Sequence, residues 1–281
     1  MKQLIRQFLP VELIACGVPL SDKRLMTSFA MQRSGQHLII EWVCRGLPAG
    51  VLHFNHCRFI KGGRRLFLKP IMGRRIVYSG DTVEDSGAQG TANLCKDFPV
   101  PAPEYFLYSV EDMDPLQRSY RRLIRKYSPE VILILRDPAN WLASSIRHGR
   151  KEESELREHM ETYKKQLSIA TGQHRHTFPR VIVFNYNEFI INEAYRRDMA
   201  GKFDQFDLDK ADVALARTPD FGGGSSFSGL SKSQTNDRWR KYENDTFFRS
   251  LLADRELLEL SKAFFGEIGE LSILEELTRR K

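Results

Sequence analysis

The feature that most constrains this chain is one apolar run, VILILR at 131–136, which stays apolar at every position until the arginine that ends it. A half-exposed strand alternates apolar and polar side chains. A strand apolar throughout must be covered on both faces, the situation of a central strand in a parallel sheet sandwiched by helices. Asp137 and Pro138 close the run. A helix is predicted over 139–148, with the proline where a first turn accepts it because its missing N–H has no partner there anyway.

The same strand-then-helix alternation recurs along the chain. RLMTSFAM (24–31) reads as a strand, 36–45 as a helix and 51–55 as a strand. LFLKPI and RIVYSG are strand-like pieces expected to form a hairpin, EYFLYSVED (104–112) is a strand, and 115–126 is a helix with a basic face. A charged amphipathic helix is predicted over 151–170 and a strand over 180–190 (RVIVFNYNEFI), and the chain from 237 onward is almost wholly helical. Strands separated by helices imply right-handed crossovers, hence an α/β fold of three αβα layers around a central, mainly parallel sheet. The 281 residues suit a single domain: an N-terminal extension over 1–24, a mobile Gly/Ser-rich loop over 212–237 that contains FGGGSSFSG, and a helical C-terminal region over 238–281.

The hydrophobic share of 41% and charged share of 28% are those of a globular chain, which excludes a disordered polymer. No uncharged run approaches the roughly 18 residues of a spanning helix, and Glu12 interrupts the apolar N-terminus, so neither an integral membrane segment nor a signal peptide is expected. Cys16, Cys44, Cys57 and Cys95 are irregularly spaced, which points to free thiols, a reducing compartment and a cytoplasmic location. The net charge of +7 is concentrated: no acidic residue lies between Glu41 and Asp81, where Arg45, Arg58, Lys61, Arg64, Arg65, Lys69, Arg74 and Arg75 all fall. That span fits either an anionic partner or a solvated basic hairpin; it carries no nucleic-acid reader motif, so no nucleic acid is expected.

Two motifs carry chemistry. MQRSGQH (31–37) lies where a strand ends and a helix starts, and a glycine turn there exposes backbone N–H groups and the positive end of the helix dipole to a phosphate. It is not a Walker A loop, since Gly35 is followed by Gln36 and His37 rather than by lysine and a magnesium-holding hydroxyl. Alone, the string is also what a plain strand-to-helix turn looks like. LILRDPANWLASSIRHG (133–149) places Arg136 at the C-terminal end of the buried strand, where open α/β sheets bind ligands, and Ser144 eight residues later on the next helix. A guanidinium and a hydroxyl so placed can address one phosphate, or can equally be a salt-bridged strand end and a packing serine.

Together and in this order the two motifs resemble the sulfotransferases that use 3′-phosphoadenosine 5′-phosphosulfate (PAPS). That family has a Ser-Gly loop after its first strand and a second strand ending Arg-Asp/Asn-Pro, with serine eight positions past the arginine. The resemblance covers roughly 25–242, mostly as pattern, and implies a P-loop-NTPase-like sulfotransferase fold. Carried over, it makes Arg33, Ser34, Gly35, Gln36 and His37 the cradle of the 5′-phosphosulfate and Arg136 and Ser144 the contacts of the 3′-phosphate. FNYNEF (184–189) is similar to a strand end of the family, and SSFSG with Arg238 and Trp239 looks like its nucleotide-closing segment, which makes Ser226, Ser228, Gly229 and Arg238 further cofactor contacts. Gln36 and His37 depart from the two hydroxyl residues common there, and the late loop lacks an Arg-Lys-Gly string.

The activity so implied is transfer of a sulfuryl group from PAPS to a hydroxyl or amine, releasing 3′-phosphoadenosine 5′-phosphate (PAP), with no metal required. Arg33 is suited to the leaving phosphate, and His37 is a second donor or a structural histidine. A general base is needed, for which Glu111 leads, His56 follows, then His53, with Asp112 and Glu104 behind. His53, His56 and Cys57 in HFNHC suggest a metal, but strand alternation sets the two histidines on opposite faces. The span 58–75 would rim the acceptor pocket, favouring an anionic glycan or another acidic acceptor. The alternatives are a nucleotide or sugar kinase of related fold, and a non-catalytic protein that binds PAP or an anionic polymer.

Overall fold

The computed structural model describes residues 24–62, 65–70, 75–79, 82–85, 104–117, 130–148, 152–176, 178–216 and 232–266. Its strands are β1 (Arg24–Ala30), β2 (Val51–Gly62), β3 (Arg65–Pro70), β4 (Arg75–Ser79), β5 (Thr82–Asp85), β6 (Tyr105–Glu111), β7 (Glu130–Leu135) and β8 (Arg180–Asn185). They form one sheet in the order β5-β4-β2-β6-β1-β7-β8, with β3 also on β2. The pairs β2–β6, β6–β1, β1–β7 and β7–β8 are all parallel, so five strands make a parallel centre and the antiparallel pairs lie at one edge.

The helices are α1 (Gln36–Gly46), α2 (Pro138–Arg147), α3 (Glu153–Ala170), α4 (Tyr186–Ile191), α5 (Glu193–Ala200), α6 (Leu208–Asp212), α7 (Thr246–Leu252) and α8 (Arg255–Phe265), with 3₁₀ turns at Val213–Ala216 and Lys232–Tyr242. Alternate residues of the central strands feed two cores. Phe29, Phe54, Tyr108 and Leu133 pack with Trp141 and Leu142 of α2, Leu156 and Tyr163 of α3, and Leu251 and Leu257 of α7 and α8. Met26, Leu107, Ile132 and Phe184 pack on the other face with Ile39, Trp42 and Val43 of α1 and Phe189 of α4. The expected three-layer α/β architecture is therefore observed. The all-apolar run 131–135 is buried because both cores need it, each such side chain contributing roughly 1.5–3 kcal/mol on burial.

The topology locates a crevice. From β1 the chain crosses through α1 to β2, toward one edge; from β7 it crosses through α2 and α3 to β8, toward the other. β1 and β7 are neighbours, so they form the switch point where such sheets bind ligands beyond their carboxyl ends. Those ends are level: Ala30 lies opposite Glu111 on β6 and opposite Ile134 on β7.

Three expectations change. LFLKPI and RIVYSG do not pair with each other; β2 runs on past Asn55 to Gly62, so β4 pairs with its first half and β3 with its second. The strand expected over 180–190 stops at Asn185, whose side chain accepts the N–H groups of Asn187 and Glu188 and so caps α4. The expected loop over 212–237 begins and ends in 3₁₀ turns, while 217–231 lies outside the described residues, as do 1–23, 118–126 and 267–281. Cys44 and Cys57 are buried free thiols. No helix among the described residues is long and apolar enough to cross a membrane.

Candidate functional site

The loop after β1 is a tight turn in which the Ser34 N–H donates to the Met31 carbonyl at 3.1 Å. Arg33 (φ 74°) and Gly35 (φ 85°) both take the left-handed conformation, which for arginine costs about 1–2 kcal/mol. Gly35 is obligatory twice over, because a Cβ there would stand 2.0 Å from Cε2 of Tyr186. Gln32 anchors the turn: its N–H donates to Asp112 Oδ1 at 2.8 Å, and its carbonyl accepts from Trp141 Nε1 at 3.0 Å. α1 starts directly after Gly35, so its first-turn N–H groups and dipole face the crevice. Ser34 is buried beside them, and its Oγ has no hydrogen-bond partner among the described residues.

Arg136, the first residue beyond β7, is 1% exposed. Its guanidinium lies over the Tyr186 ring, 5.1 Å from the centroid, and Nη1 donates to the Arg33 carbonyl at 3.5 Å. Its own carbonyl accepts from the Tyr163 hydroxyl. Arg238, in the 3₁₀ turn Lys232–Tyr242, reaches the same place. Burial first, then the positive charges of Arg136 and Arg33, pull its pKa down to about 10, against the opposing influence of Tyr186 and Asp137. Three guanidiniums thus crowd one partly buried crevice. A multiply charged anion placed there would relieve their mutual repulsion.

Next to it, across the ends of β2 and β6, lies a group of histidines around Glu111. His56 Nδ1 is 2.8 Å from Glu111 Oε2, and His37 Nε2 is 3.8 Å from Oε1 and 3.0 Å from Asn55 Oδ1. Gln36 Nε2 donates to Oε1 at 3.4 Å and Gln32 Nε2 to Oε2 at 3.5 Å. Burial pushes the Glu111 carboxyl up, but the His56 hydrogen bond, the charges of His37 and His56 and the Gln32 amide outweigh it and hold the pKa below the usual value. Glu111 is therefore an anion that accepts on every side, and a weak proton acceptor. Its partner geometry assigns the His56 proton to Nδ1, which leaves Nε2 as the basic edge of the ring.

A β-bulge makes this arrangement. Phe54 faces Tyr108 and Cys57 faces Val110, so Asn55 and His56 together oppose Ser109. The Ser109 hydroxyl accepts the His56 N–H at 3.1 Å and donates to Asn55 Oδ1 at 3.1 Å, and His56 takes φ 53°. The strict alternation expected from the sequence is broken. His53, Asn55 and His56 share Ser109's face, whereas Cys57 points the other way and its thiol donates to the Phe54 carbonyl. Among the described residues no three His, Cys, Asp or Glu are grouped to hold a metal ion.

The crevice gathers Arg33, Ser34, Gly35, Gln36, His37, Arg136 and Arg238, with Glu111 and His56 alongside. Ser144 is buried on α2 about two turns beyond Asp137. His53 is wholly buried 3.1 Å from Ser109 Oγ, and burial, then the charge of His37, lowers its pKa well below 6.5, so it stays a neutral packed residue. Glu104 precedes β6, at the opposite end of the sheet from Glu111, and is removed from the site. Asp112 is committed to the Gln32 N–H, with His159 at 3.8 Å. Ser226, Ser228 and Gly229 lie outside the described residues. Tyr186, Asn55, Gln32 and Asn140 escaped the sequence reading; of these only Tyr186 had a visible signal, because Asn185 followed three residues later by Glu188 marks a helix start. No model of a known family and no curated protein matches this chain.

Proposed function

We propose that this chain is a sulfotransferase that takes the sulfuryl group of PAPS to a hydroxyl or amine of an acceptor. One observation carries the reading: Arg33, Arg136 and Arg238, from three distant stretches of sequence, come together at the switch-point crevice, where the Arg136 guanidinium donates to the Arg33 backbone carbonyl at 3.5 Å and the charges of Arg136 and Arg33 act on Arg238. A doubly phosphorylated nucleotide suits three guanidiniums better than a single phosphate does, and the buried Ser34 hydroxyl is a further donor with no protein partner among the described residues.

When bound, PAPS supplies the activated sulfuryl group and departs as the 3′,5′-bisphosphate. Arg33 and the first-turn amides of α1 stabilise negative charge at the leaving 5′-phosphate, the largest contribution expected in a loose transfer. Arg136, Arg238 and Ser144 hold the 3′-phosphate and fix the orientation of the nucleotide. His56 takes the acceptor proton at Nε2, while Glu111 holds the ring through Nδ1 and stabilises the imidazolium that forms. His37 donates from Nε2 to Asn55 and so positions the wall between loop and base. This order of roles places Glu111 behind His56, because a carboxylate already accepting from His56, Gln36 and Gln32 has less call for a further proton than the free edge of the imidazole it orients.

The acceptor we favour is an anionic glycan or similar acid. The basic span starts at Arg58, two residues past His56, and its backbone continues as the antiparallel pair β2–β3, so it leaves from the rim of the site. The test is thermal melting with PAP and with adenosine 5′-phosphate, followed by sulfuryl transfer from labelled PAPS in excess chelator. Stabilisation by PAP alone and chelator-resistant transfer are expected. Equal stabilisation by the two nucleotides refutes the 3′-phosphate assignment. Magnesium-dependent transfer from ATP would instead establish a kinase, and PAP binding with no labelled acceptor a non-catalytic binding protein.

A further inference from the structure

Asn140 is wholly buried in the first turn of α2, and its side chain is saturated. Nδ2 donates to Asp137 Oδ1 and Oδ2 at 3.0 and 3.1 Å and to the Asn236 carbonyl at 2.7 Å. Oδ1 accepts the Arg238 N–H at 2.8 Å and the Trp239 N–H at 3.3 Å. The carboxylate of Asp137 accepts only, which fixes the amide's orientation. Asp137 also accepts from Asn187 Nδ2 at 2.8 Å, and its N–H donates to Asn187 Oδ1 at 3.3 Å. One carboxylate and two amides therefore tie the end of β7 to α4, which carries Tyr186, and to the segment that carries Arg238.

Electrostatics on balance disfavour the Arg238 charge here, although Tyr186 and Asp137 act in the opposite sense. Burial and two neighbouring arginines disfavour its charge at this position. A helix interior or a sheet ladder would hold it, but Lys232–Tyr242 is 3₁₀, with weaker backbone bonding. The grip on its main chain comes from Asn140, reinforced by Trp239, which is buried in the core under α2.

We infer that Asn140 is a positioning residue for the nucleotide: it holds the main chain at Arg238 so that this guanidinium joins Arg136 on the 3′-phosphate. The inference rests on the proposed function. It predicts an effect on one phosphate only, which general loosening does not produce. Lys164 supplies the control, since it ties α3 to the start of α8 through Asp254 at 2.9 Å and Glu256 at 3.0 Å, away from the crevice.

The experiment titrates PAP and adenosine 5′-phosphate into the full chain and into N140A, R238A, the double variant and K164M, each well below its melting temperature. N140A is expected to bind PAP about tenfold more weakly, a difference of about 1.4 kcal/mol. It should bind adenosine 5′-phosphate within about twofold of the parent, and the double variant should bind PAP no more weakly than R238A. Unchanged PAP affinity in N140A, equal loss of both nucleotides, a loss matched by K164M, or independent effects in the double variant would each overturn the role of Asn140. Failure of the parent chain to bind PAP at all overturns the proposed function and this inference with it; a parent that binds and an N140A that binds equally well overturns the inference alone.

Discussion

Replacing Arg136 by methionine separates a functional cation from a structural one. The side chain is 1% exposed, lies over the Tyr186 ring and donates to the Arg33 carbonyl at 3.5 Å. Methionine has a similar length and can keep contact with the Tyr186 ring, while the backbone carbonyl that receives the Tyr163 hydroxyl is untouched. R136M should therefore melt close to the temperature of the parent, because the contact with the Tyr186 ring and the Tyr163 hydrogen bond to the backbone are both kept. Ligand binding should fall. Two charge-assisted hydrogen bonds to a phosphate, at roughly 1.5 kcal/mol or more each, amount to about a hundredfold in affinity. At PAP one hundred times the parent's dissociation constant, the parent gains about 2.7 kcal/mol and the variant about 0.4 kcal/mol. For a chain of 281 residues the unfolding entropy is about 0.6 kcal/mol per degree, so the shifts are about 5 °C and under 1 °C. A melting-temperature series with and without PAP reads both quantities. If R136M loses several degrees without ligand and keeps the full ligand shift, Arg136 is a structural strand end and the reasoning fails.

Further outcomes follow from the same geometry. R33A should lose at least about 3 kcal/mol of transition-state stabilisation, seen as a fall in kcat of a hundredfold or more; near-normal turnover excludes Arg33 from the leaving-group site. Gly35→Ala meets both left-handed strain and the Tyr186 ring, which Arg136 pins, so it should lower both stability and PAP affinity, whereas a variant that melts and binds normally would show that the turn is not rigid. Glu111 has a folded pKa below its ordinary value of 4.5, so its stabilising contribution is complete above that value and is lost as pH falls through the lowered one. E111Q should accordingly be less stable than the parent at neutral pH, by a margin that shrinks in acid denaturation profiles below about pH 4.5. A margin that is flat with pH means that the carboxylate is not what the histidines stabilise.

Much of the fold was legible because it depends on local pattern. An apolar run without alternation has few places to go, and a glycine turn or an Asp-Pro pair interrupts strands wherever it stands, so β1, α1, β6, β7, α2 and α3 were found within a residue or two of their observed ends. Arg33 and Arg136 were found for the same reason, as residues at strand ends. What escaped depends on partners. The bulge at His56 exists because Ser109 on a neighbouring strand satisfies the extra residue, and nothing in HFNHC announces a hydroxyl 53 residues away. The pairing of β4 along β2 and the donors that surround Glu111 likewise come from segments that are distant in sequence. Sequence by itself determined which segments are strands and helices, because periodicity and turn chemistry act within a few residues. Only the tertiary structure decided which charges meet, because burial and electrostatic coupling depend on distances that the folded sheet alone establishes.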